Sequence, residues 1–197
     1  MIKSVKSLVL ITTTTLISLL TNAQLKLPAI NGIGNDVKKV ILDYPNRFIN
    51  LMGEIITENA QSTDYACNFK VNGAEEVIIT RYSAKKEVCS WEAVMLTTEN
   101  FEKAKQKFKA LFNQLNNLAV NMGTGPNYHL KGKYEPPTDA SKFTSVLFTF
   151  DPENEEIKKL RVELVMQYYA PMDRKVKILV YDRDREDDER GNTREEE

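Results

Sequence analysis

An α+β fold, with two helices packed on one face of a largely antiparallel sheet, is predicted by three features of the sequence. From Phe101 to Met122, apolar residues recur at three- and four-residue steps: Phe101, Ala104, Phe108, Leu111, Phe112, Leu115, Leu118, Ala119 and Met122. That spacing lines them along one side of a helix and leaves Glu102, Lys103, Lys107 and Lys109 on the other. A second stripe of the same period runs from Val37 to Ile55. Around both, short segments alternate apolar with polar residues and are separated by turn signals such as Asn72-Gly73 and Pro171-Met172-Asp173, the pattern of strands joined by tight turns.

Residues 1–23 read as a leader and not as part of the fold. Lys3 and Lys6 give a positive start, and Leu8 to Leu20 is apolar but short for a membrane span. Thr21-Asn22-Ala23 offers small residues for cleavage before Gln24. An exported protein, periplasmic or secreted, is the expectation, with no membrane span after the leader is cut. Residues 24–183 are expected to form a single α+β domain, with halves at 36–96 and 98–183. The tail over 184–197 is highly charged, has no apolar residue to bury, and is expected to be disordered.

The elements follow in order. Gln24 to Asn35 is an irregular lead-in. The first helix carries Val37, Val40, Ile41, Tyr44, Phe48, Leu51, Met52 and Ile55, with Asp36 as its cap. Pro45 interrupts it, because proline lacks a donor and clashes one turn back, so a kink or a new helix with Pro45 in its first turn is expected. Glu58 to Thr63 reads as a polar connector. A first strand is predicted over Tyr65–Val71 and a second over Glu75–Tyr82. A three-residue loop at Asn72–Ala74 would set Cys67 opposite Ile79, with Gly73 taking positive φ. The third strand, Glu87–Leu96, points Cys89, Trp91, Ala93 and Met95 inward. Thr98 caps the second helix and Gly123 ends it. Strands are then predicted at Tyr128–Tyr134, Phe143–Phe150, Leu160–Tyr169 and Val176–Tyr181. Helix plus three strands, then the same order with one extra C-terminal strand, suggests a duplicated α-β-β-β unit.

Charge and motifs exclude more than they specify. The net charge is −1, and removing Lys3 and Lys6 takes it to about −3. Most of that sits in the tail, so the body has no basic face for nucleic acid. Cys67 and Cys89 raise a disulfide as one reading in an exported chain. Against it, a strand between them would hold their Cα atoms ~9.5 Å apart, beyond disulfide reach. His129 is the single histidine and no nucleophile elbow accompanies it, so neither a catalytic triad nor a histidine-based zinc site is expected. The acidic run from Asp182 lacks the glycine and final glutamate of a calcium loop. Glu75, Glu76, Glu92 and Glu163 are available carboxylates, but no spacing singles out a pair. No metal or cofactor is implied. Trp91, Phe101, Phe108, Phe112, Phe148, Phe150 and Tyr168 could line a cavity for a small apolar ligand, or simply build the core. The expectation is an exported, non-catalytic protein that binds a partner protein or a small apolar ligand. The alternative is an exported hydrolase using carboxylates that the sequence does not flag.

Overall fold

Among the described residues of the computed structural model (32–83, 88–123, 126–153 and 157–183), two α-helices accompany one nine-stranded antiparallel sheet. The predicted α+β class therefore holds. The leader expected over 1–23 and the tail expected over 184–197 lie outside the described residues. Those residues belong to one unit, Asn31–Glu197.

Helix α1 spans Ile33–Asp43 and buries Ile33, Val37, Val40 and Ile41, one stripe at helical spacing. Asp36 lies in its first turn but does not cap it. Its carboxylate instead accepts the backbone N–H of Asn72 at 2.8 Å. Pro45 stops the α-helix as expected, and a 3₁₀ turn over Tyr44–Asn46 carries it. Beyond this the prediction fails. Arg47 and Phe48 both take left-handed φ, at 55° and 59°, which reverses the chain. Met52 and Ile55 then fall in a strand, β1 (Met52–Glu58), and not in a helix. The run Ile55-Ile56-Thr57 is β-branched, and with β2 (Ser62–Cys67) alongside it strand pairing overrides the helical spacing.

The next pairings shift by two residues from those predicted. Strand β2 starts and ends earlier than Tyr65–Val71, and Tyr65, not Cys67, stands opposite Ile79 of β3 (Glu76–Tyr82). The expected turn forms, with Gly73 at φ 73°. However, Val71 is drawn into the core at 3% exposure, and Asn72 is held by α1, so the loop between the strands is longer. Because the shift is even, each side chain keeps its face. Strand β4 (Val88–Thr98) buries Cys89, Trp91, Ala93 and Met95 as predicted.

Helix α2 spans Phe101–Leu115, with Asn100 rather than Thr98 as cap. The Asn100 side chain accepts the backbone N–H of Lys103. The helix is seven residues shorter than its apolar stripe. Asn117 takes φ 72°, which asparagine tolerates better than most residues, and its N–H donates to Leu130 O at 2.7 Å. Ala119–Asn121 then forms β5, paired with β6 (Asn127–Lys131). Strands β7 (Phe143–Asp151), β8 (Leu160–Tyr169) and β9 (Asp173–Asp182) fall close to their predicted positions.

The strand order is β1-β2-β3-β4-β9-β8-β7-β6-β5. The last strand enters the middle and joins two meanders. Helix α2 lies across β4, β9 and β8. One row of inward side chains, Tyr65, Ile79, Trp91, Val180, Val162 and Phe148, crosses six strands in register. It forms the floor of one buried cluster that also takes in Val37, Val40, Phe108 and Leu111 from the helices.

Candidate binding face

The seven aromatic residues singled out in the sequence fall into three groups. Trp91, Phe108 and Phe148 are buried at 0% exposure. Phe112 stacks on Phe148 with ring centroids 5.9 Å apart, and Tyr134 tilts over both Phe108 and Phe112 at 6.2 and 5.0 Å. Burial pushes the Tyr134 phenol above its ordinary pKa. Contacts of this kind are core packing, and an apolar guest there would have to displace the rings. Phe101 and Tyr168 instead flank the Arg174 guanidinium, at 5.4 and 5.5 Å. Arg174 also donates to Glu99 O and to the Asp139 carboxylate, so this group fastens the start of α2 to the sheet. Phe150, at 7% exposure, lines a pocket at the end of β7.

Cys67 and Cys89 are not joined. Strand β3 separates them, and the register that sets Ala93 near Cys67 puts Cys89 four residues further along β4. This is beyond the reach of a disulfide. His129 stands between Ala119 and Asp151 on neighbouring strands, with Nδ1 3.5 Å from Asn117 O. Among the described residues, no cluster of three or more His, Cys, Asp or Glu side chains is placed to hold a metal. No described helix is long and apolar enough to cross a membrane.

The other face of the sheet is where polar groups converge. Val88, Val94, Val165 and Tyr181 are buried at 5% exposure or less, yet they stay outside the helix-side cluster. They form a second, smaller floor. Over it, Glu92 of β4 and Glu163 of β8 stand in one cross-strand row on either side of Leu179. The sequence carries a signal for this alignment: Glu92-Ala93-Val94-Met95 and Glu163-Leu164-Val165-Met166 repeat one Glu-x-Val-Met pattern. No pair could be drawn from it without knowing that β9 lies between.

Both carboxylates are occupied. Lys177 Nζ lies 2.9 Å from Glu92 Oε1, with side-chain exposures of 14% and 30%. Tyr181 Oη donates to Glu163 Oε2 at 3.0 Å. Burial alone would lower the Lys177 pKa, but hydrogen bonds to Tyr169 and Glu92, and the charge of Glu92, outweigh it and raise it. Tyr169 Oη donates onward to Gln167 at 2.9 Å. The centre of this face thus carries two polar groupings, Glu92 with Lys177, Tyr169 and Gln167, and Glu163 with Tyr181.

Its apolar rim is β7. Phe143 and Leu147 are 55% and 44% exposed, on the same side of the strand. Leu147 borders a half-open pocket of about 230 Å³, lined by Thr149, Phe150, Ile157, Leu160 and Arg161 and by the charged Glu153 and Lys158. A drug-sized ligand takes roughly 300–1,000 Å³, so this pocket suits a single anchoring side chain better than a whole molecule. No protein-family model, curated protein or solved structure matches the chain.

Proposed function

We propose that this is an exported, non-catalytic protein that binds a partner protein through the rim of β7 and the adjoining pocket. The observation that carries the reading is the pocket itself: small, half-open, apolar at its base and bordered by exposed Leu147. An apolar side chain of a partner, seated there and ringed by polar groups, has the character of an interface hot spot. A small apolar ligand is the weaker option, since the aromatic rings that would line its cavity pack on one another.

Chemical cross-linking of the protein in its native host tests this. A specific partner is expected with the wild-type chain, and Leu147→Asp should cut its recovery by about tenfold or more. Leu147 is exposed, so the variant should fold, and undiminished recovery would overturn the reading. A hydrolase using Glu92 or Glu163 is the alternative, favoured by their shared row. It would replace the binding reading if turnover of an ester or glycoside panel were lost in Glu163→Gln. Export has its own check: the mature protein should begin at Gln24 by mass spectrometry, and an intact residue 1–23 segment would remove it.

The duplicated unit is part of the same proposal, in a modified form. The sheet order supports a two-fold relation between the meanders that end in β4 and β9. The additional strand would then be β5, at the start of the second half, and not the C-terminal one.

A further inference from the structure

The two ends of the sheet are unlike. Strand β5 has three residues, but β1 has seven, and all except Met52 are exposed. Among the described residues β1 pairs only with β2, so its other side presents backbone donors and acceptors that no described strand takes up. Proteins commonly blunt such an edge with lysine or proline, and Met52–Glu58 contains neither. It instead exposes Ile55 and Ile56 at 53% and 54%. Two irregularities in its pairing with β2, on either side of Ile55, re-aim these side chains outward and limit a straight partner strand to part of the edge.

Charge selects the occupant. Glu54 and Glu58 lie on β1, Asp64 lies on β2 opposite Thr57, and no base lies on either strand. Self-pairing of β1 would gather two copies of Glu54 and Glu58 in one seam without a compensating cation, and like charges across a strand pair destabilise it. A second copy of this chain is therefore disfavoured. We propose that β1 adds an extended segment of a partner protein as a further strand, one in which lysine or arginine alternates with apolar side chains. Backbone hydrogen bonds supply affinity, Ile55 and Ile56 supply apolar contact, and the two glutamates supply preference. The inference is independent of the β7 pocket.

Hydrogen exchange of the full chain with a nine-residue peptide alternating lysine and valine tests it, with a glutamate–valine peptide as control. The basic peptide should slow exchange in residues 52–58 and lose about tenfold in affinity between low and high salt. The double variant Glu54→Lys, Glu58→Lys should prefer the acidic peptide. Protection by neither peptide, or equal protection by both, would overturn the proposal. So would a concentration-dependent dimer of the unliganded chain that Ile56→Lys abolishes, because the occupant would then be a second copy.

Discussion

Replacing Phe108 with alanine is expected to lower the unfolding free energy by about 3–5 kcal/mol, seen as a reduced urea midpoint at unchanged slope. Phe108 is at 0% exposure in the middle of α2, the helix that lies across β4, β9 and β8. Its ring packs beside Tyr134, which also holds Phe112, itself stacked on Phe148. These aromatic neighbours are rigid and braced by one another, so the site cannot collapse to fill the space left behind. Such a loss takes much of the stability of an ordinary domain. Phe101→Ala on the same stripe should cost less, because Phe101 is only partly buried and rests against Arg174. Equal losses at the two positions would contradict the placement of α2.

Lys177→Met is expected to cost about 1.5–3 kcal/mol near neutral pH, the range for hydrogen bonds to charged groups. The substitution leaves Glu92, 30% exposed, without its cation. Joint replacement by Glu92→Met and Lys177→Met should cost less than the sum of the single changes, since no half of the pair is then stranded. The pH dependence has a definite sign. The folded Lys177 pKa is raised, so the protonated form is favoured by folding. Its contribution is fully present below the unfolded lysine value of about 10.4 and is lost as pH rises through the folded value. The gap between wild type and Lys177→Met should accordingly hold steady from neutral pH to about pH 10 and shrink above that range. A gap that shrank well below pH 10 would remove Lys177 as its source.

Much of this molecule is legible in the order of its residues, and the limits are instructive. Strand β8 begins and ends where alternation places it, from Leu160 to Tyr169, because its inward face is apolar throughout. The second helix ends at Leu115, short of its apolar stripe, because Leu118, Ala119 and Met122 continue a helical spacing that strand pairing also tolerates. Only the backbone bonds between Asn117, Leu118 and Leu130 decide between the two. β1 was hidden for a similar reason: Met52 and Ile55 fit the end of a helical stripe, and the reversal at Arg47 and Phe48 has no glycine to announce it. The polar face was hidden differently. Glu92 and Glu163 are 71 residues apart in the chain, and they meet in one row because β9 slots between their strands.

The order of residues by itself determined which side chains must leave water: amphipathic period is a local property, set by the neighbours each residue has along the chain. It determined the class, two helices over antiparallel strands, and most strand positions. The tertiary structure alone decided which strands lie side by side, which pairing wins where two periods fit the same run, and where Lys177 finds its carboxylate. Those outcomes depend on contacts between distant segments, whose free energy no local pattern records.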